Sequence, residues 1–168
     1  INDLEAIKGP LHLALGVFDG LHIGHQKVIG TAVDAAKNEG GQAGILTFEP
    51  HPIRILAPEL APRRILASLN HKRELLSELG VDVMVVVDFN KKFADCEADV
   101  FLQSLISACP DLKTLSIGED WKFGKKRRGD ITMLKEAGHS HNITINSSKA
   151  VMLDGERVSS TRIRQAIR

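Results

Sequence analysis

The stretch GVFDGLHIGH, residues 16–25, decides how this chain is read. It follows a short apolar run, LHLALGV at 11–17, and leads into a segment whose Val28, Ile29, Ala32, Val33 and Ala36 recur on one helical face. A strand, a turn and a helix are therefore predicted in succession. His22 and His25 stand three apart, so on a helix they project from nearly one face. Gly24 between them leaves the backbone open to close approach. The start of the helix adds free N–H groups and a positive dipole end, a ready site for an anion. Imidazoles beside a polyphosphate are expected to be held protonated and to donate to oxygens that gain charge in phosphoryl or nucleotidyl transfer. Phosphate chemistry is favoured over a pair of surface histidines, and zinc lacks obvious third and fourth ligands nearby.

Outward from this stretch, strand and helix patterns alternate. AGILTF at 43–48 is a second strand, stopped by Pro50 and Pro52. Residues 53–68 read as a long loop, and a helix over about 70–79 ends at Gly80. VDVMVVVDF at 81–89 is almost continuously apolar, which predicts a central parallel strand covered on both faces. A helix over about 98–108 precedes the strand LKTLSIG at 112–118 and a basic loop at 119–129. Asp130 is expected to cap a short helix ending near Gly138, before strands at about 143–146 and 150–153 and a last helix opened by Ser159 or Ser160. The expected fold is α/β, a mostly parallel sheet with helices on both faces. Ligands of such sheets bind outside the carboxyl ends of the strands, and the motifs at 18–25, 50–52 and 119–129 all fall there.

With 168 residues, 43% hydrophobic and 26% charged, the chain suits one soluble domain. A net charge of +1 gives no reason to expect nucleic acid or an anionic membrane as partner. No apolar run approaches the roughly 20 residues that span a bilayer, and no signal-peptide pattern opens the sequence. Cys96 and Cys109 read as free thiols of a reducing compartment. The expected location is cytoplasmic.

Three further motifs carry chemistry. In VSSTRIR (158–164), Ser159, Ser160 and Thr161 can cap a helix, while Arg162 and Arg164 suggest a second phosphate cradle facing the first. In PHP (50–52) the prolines make the backbone around His51 rigid, as a strand exit or a functional corner. KFGKKRRGD (122–130) holds five cations, a solvated run rather than a nucleic-acid patch, because the chain supplies no other basic face.

Taken together, GVFDGLHIGH, TFEPHP (47–52), IGEDWKFGKKRRGD (117–130) and VSSTRIR resemble the ordered motifs of the prokaryotic FAD synthetase family. This is the FMN adenylyltransferase module of the bifunctional riboflavin kinase/FAD synthetases, within the HxGH nucleotidylyltransferase superfamily. Where this chain has Trp121 the family more often has phenylalanine. The resemblance implies a Rossmann-like nucleotidylyltransferase fold over a single domain, 1–168, with no riboflavin kinase site in this chain and room for a kinase domain in a longer native one. It implies transfer of AMP from ATP to FMN, with Mg²⁺ or a similar divalent ion, giving FAD and pyrophosphate. Carried over by position, His22, His25 and Arg162 are the catalytic candidates. Gly16, Phe18, Asp19, Gly20, Gly24, Ser159, Ser160, Thr161 and Arg164 are assigned to ATP. Pro50, His51, Pro52, Asp120, Phe123 and Arg127 are assigned to the flavin, with the extra lysines of the basic loop facing solvent and the 53–68 loop folding over as a lid. No metal ligand is assigned. His139 and His141 are left as surface residues.

Related readings differ in their motifs. Other HxGH adenylyl- and cytidylyltransferases share the first motif but are not expected to carry PHP and the basic loop together. A class I aminoacyl-tRNA synthetase also uses HIGH, in a far longer chain with a lysine-rich loop that is absent here. A non-catalytic flavin- or nucleotide-binding module remains an alternative.

Overall fold

The computed structural model describes residues 2–62 and 66–167. Five strands form a wholly parallel sheet: β1 (Leu11–Leu15), β2 (Gln42–Glu49), β3 (Val83–Asp88), β4 (Leu112–Gly118) and β5 (Thr144–Ser148). Their spatial order is β3-β2-β1-β4-β5. Helices α1 (Ile23–Glu39), α2 (Ile53–Leu56), α3 (Leu69–Glu78), α4 (Lys91–Ala94), α5 (Ala98–Ala108) and α6 (Ile131–His141) connect them. A two-stranded hairpin, β6 (Met152–Leu153) with β7 (Glu156–Arg157), and helix α7 (Ser160–Ala166) follow.

Side chains alternate across a strand, so a sheet buried on both sides sorts them into two cores. Leu11, Leu13 and Leu15 of β1 join Leu46, Phe48, Leu115 and Ile117 beneath α5 and α6. Ala14, Ala43 and Ile45 face the other way, against Val28, Ile29, Ala32, Val33 and Ala36 of α1 and Leu76 of α3. Each large side chain fully buried in this way contributes roughly 1.5–3 kcal/mol. The α/β fold with helices on both faces is therefore as expected, and all five apolar positions read for the first helix are its buried ones.

Four details differ from the sequence reading. The run at 81–89 lies at the sheet edge: β3 pairs with β2 alone, and its Met84 and Val86 are only half-buried. Continuous apolarity reported that helices and loops cover both faces, which says nothing about position in the strand order. The helix capped by Asp130 continues past Gly138 to His141, because Gly138 is a packing point: a Cβ there would stand 2.6 Å from the Ile143 carbonyl oxygen. The apolar residues near 150–153 form the separate hairpin rather than a strand of the sheet. The expected loop at 53–68 contains α2 and a 3₁₀ turn at Pro58–Leu60, while residues 63–65 lie outside the described part.

The chain runs outward from β1 through β2 to β3, then returns to place β4 on the other side of β1. The order thus reverses between β1 and β4, the place where doubly wound sheets bind ligands.

Candidate active site

Two cavities open at the carboxyl ends of the strands. The first, about 310 Å³, sits at the reversal point between Gly16–Phe18, which follow β1, and Gly118–Trp121, which close β4. His22, Gly24 and His25 form its floor. His22 is the N-cap of α1, and its Nδ1 accepts the His25 backbone N–H at 3.3 Å. A ring nitrogen that accepts carries no proton, so the proton of neutral His22 resides on Nε2, which remains a donor. The two rings stack at 3.6 Å between centroids, and Phe18 meets His25 edge-on at 5.5 Å. A Cβ on Gly24 would stand 3.1 Å from the His22 ring, so the glycine makes room for the imidazole where it lines the cavity.

Burial lowers the pKa of His22, and burial plus repulsion from His22 and Lys72 drives that of His25 to about 3. Both imidazoles are therefore neutral at pH 7 in the unliganded protein. The reason is that two stacked, partly dehydrated rings cannot both charge without an anion beside them.

Ser159 and Ser160 line the same cavity. Ser159 caps α7 by accepting the Arg162 N–H at 3.2 Å, and the Ser160 hydroxyl donates to the Asp19 carbonyl at 2.8 Å. Thr161 is exposed. The two arginines do not line the cavity, a correction to the facing-cradle expectation. Arg162 donates to the carbonyls of Leu153 and Glu156 at 3.1 and 3.2 Å and pairs with the Glu156 carboxylate at 3.0 Å. Arg164 is ion-paired with Asp19, which is 5% exposed and also accepts the Leu66 N–H at 2.9 Å. Nearby carboxylates outcompeted the cleft for both guanidiniums. Gly20, in the turn after Asp19, takes a φ of +80°, open to glycine at no steric cost. Arg157, which no motif singled out, does line the cavity and pairs with Asp120.

The second cavity, about 440 Å³, is lined chiefly by aromatic rings. Phe48, Phe89, Phe93, Phe101, Phe123 and Trp121 line it in a connected series of ring contacts, with Trp121 stacked on Phe123 at 5.0 Å. Lys122, Lys126 and Arg127 are exposed at its rim, the two lysines facing solvent as expected, and the half-buried Lys125 is tied to Asp95 and Glu97. Pro52 lines the cavity but Pro50 and His51 do not. His51 Nδ1 instead accepts the Ile53 N–H at 3.2 Å, bracing the start of α2 beside the cavity. Val17, Asp120 and Trp121 belong to both cavities.

A polar pocket and an aromatic pocket with a common wall suit a nucleotide and a planar partner. The family model for FAD synthetase matches residues 4–162. The chain belongs to the FAD synthetase family. Among curated members, the bifunctional riboflavin kinase/FMN adenylyltransferase of Listeria monocytogenes is 37% identical over 92% of this chain and 49% of its own length. The protein of the same name from Escherichia coli K12 is 34% identical over 92% of this chain and 49% of its own length. That from Buchnera aphidicola is 29% identical over 99% and 54%. The chain thus spans about half the length of the curated relatives it matches. A crystal structure described as a macrolide-efflux protein from Streptococcus pneumoniae superposes with a TM-score of 0.82 at 27% identity, over 95% of this chain and 52% of that one. Among the described residues of this family member, no helix is long and apolar enough to cross a membrane.

Proposed function

We propose that this chain transfers the AMP moiety of ATP to FMN, forming FAD and releasing pyrophosphate. One observation carries the reading: a cavity floored by His22, His25 and the start of α1 shares Val17, Asp120 and Trp121 with an aromatic cavity of a size suited to a flavin ring. An FMN phosphate oxygen attacks the α-phosphorus as the bond from that phosphorus to the departing pyrophosphate breaks. The nucleophile is ionised at neutral pH, so alignment and charge stabilisation supply the acceleration rather than a strong base.

The free Nε2–H of His22 and the ring of His25 serve phosphate oxygens, supported by the N-terminal amides of α1. A polyphosphate offsets the burial that holds both rings neutral, and so strengthens their donation as charge moves onto pyrophosphate. Ser159, Ser160 and Thr161 complete the polar side, with Gly16, Phe18, Gly20 and Gly24 shaping the turn. Arg162 joins the phosphates by exchanging its exposed pair with Glu156, itself worth about 0–1 kcal/mol, and its bonds to the Leu153 and Glu156 carbonyls for charge-assisted bonds to phosphate. Arg164 acts through Asp19, holding the turn. Pro52, Phe123, Trp121 and Arg127 contact the flavin, Asp120 stands at the junction, and Pro50 and His51 brace the adjoining corner.

Among the described residues no three His, Cys, Asp or Glu side chains group to cage a metal. Mg²⁺ is therefore assigned to the ATP–metal substrate, as is usual where phosphates provide most of the ligands. We assign 1–168 to one nucleotidyltransferase domain in the cytoplasm, with a riboflavin kinase domain as its neighbour in a longer native chain. Incubation of the protein with ATP, Mg²⁺ and FMN, followed by chromatography, should yield FAD. Product from CTP with FMN, or from ATP with pantetheine phosphate, in place of FAD would reject the assignment.

A further inference from the structure

Lys72 of α3 is 5% exposed, and its ammonium points at the carbonyl of Val17, 3.0 Å away. Among the described residues no carboxylate lies within ion-pair distance of it. The Thr47 hydroxyl donates to the same carbonyl at 2.8 Å. Val17 is one of the three residues common to the two cavities. Two donors, one of them a dehydrated cation, thus converge on one backbone oxygen at the seam where the substrates must meet. Burial lowers the pKa of Lys72 while attraction to Glu49 opposes it; burial also lowers His25 on the polar side and His51 beside the apolar one, and the charge of Lys72 adds to both. A buried cation that touches no carboxylate, with Glu49 attracting it only from beyond ion-pair distance, costs stability, and an apolar side chain of similar length would serve a scaffold at least as well. Its presence therefore needs a reason other than folding.

We propose that Lys72 is a positioning residue for the transfer: with Thr47 it pins the Val17 carbonyl and so fixes the ledge over which the phosphates of the two substrates meet. The proposal rests on the adenylyltransferase reading above. Because it acts on alignment of bound substrates, loss of Lys72 falls on turnover rather than on binding.

Steady-state FAD formation is measured on the full chain as wild type, Lys72→Met and Thr47→Val, beside thermal unfolding of each. Lys72→Met should lower kcat by about 10–100-fold while KM for ATP and for FMN each change by less than about threefold. Its Tm should be unchanged or raised, because a desolvated charge has been removed. Thr47→Val, which keeps the charge, should lower kcat in the same sense by about threefold to tenfold. In histidine NMR titrations of the unliganded protein, His25 should protonate at higher pH in Lys72→Met than in wild type. Wild-type kcat in Lys72→Met, or a loss of rate that only tracks a loss of folded protein, overturns this inference alone. A wild type that makes no FAD overturns the functional reading, and this inference with it.

Discussion

The two cavities share a wall, yet they are assembled in opposite ways. The polar one is built from short contiguous stretches: residues 15–18 at the end of β1, the start of α1, and residues 118–121, 148–151 and 157–160. The apolar one takes single aromatic rings from β2, from α4 and α5, and from the segments after β3 and β4. Phosphate recognition needs free backbone N–H groups and fixed ring orientations, which are properties of neighbouring residues. Recognition of a planar apolar ring needs contact area, which distant residues furnish once the fold gathers them.

Substitutions can break or sharpen this contrast. His25→Ala, and separately His22→Ala, should lower kcat by about 10²–10³-fold, as removal of one preorganised donor does elsewhere. FMN affinity, followed by flavin fluorescence, should stay within about twofold, since neither ring lines the aromatic cavity. A parallel loss of FMN binding would erase the division of labour. Asp19→Asn removes the charge that holds the part-buried Arg164 and should lower Tm by about 5–10 °C. That result would make the polar side an anchor of the fold as well as a binding surface. Phe123→Ala should raise the FMN Kd about tenfold and leave KM for ATP unchanged, while Trp121→Ala, at the common wall, should disturb both.

The smallest effect expected is on acid stability. The folded pKa of His25, about 3, lies below its ordinary 6.5, so the unfolded chain binds a proton there that the folded chain refuses. Stability is complete above pH 6.5 and declines as pH falls from there toward 3. Thermal unfolding at pH 7 and pH 5 should show His25→Asn losing about 4–8 °C less than wild type.

Elements whose periodicity and flanking signals agree are legible in the sequence. The buried face of α1, the bounds of α5 and of β4, and the Asp130 cap with its bonds to the Thr132 and Met133 amides all followed from local patterns. Position within the sheet was not. The edge place of β3 depends on the crossover that returns the chain to the far side of β1, a choice made by packing of whole elements. Gly138 misled because a glycine demanded by a neighbour's approach looks the same in sequence as one that ends a helix. The β6–β7 hairpin, two residues a side, carries too little pattern to be read as paired strands.

The same division runs through the site. His22, His25 and Ser159 reach their cavity through interactions within three residues, His22 with the His25 amide and Ser159 with that of Arg162, so sequence alone determined their arrangement. The partners of Arg162 and Arg164, the pairing of Arg157 with Asp120 and the burial of Lys72 were decided only by the tertiary structure. The reason is range: caps and helix-face spacing are set by the covalent chain. Which carboxylate meets a long flexible cation, and whether water reaches it, depends on elements far apart in sequence that come together only when the sheet closes its two cores.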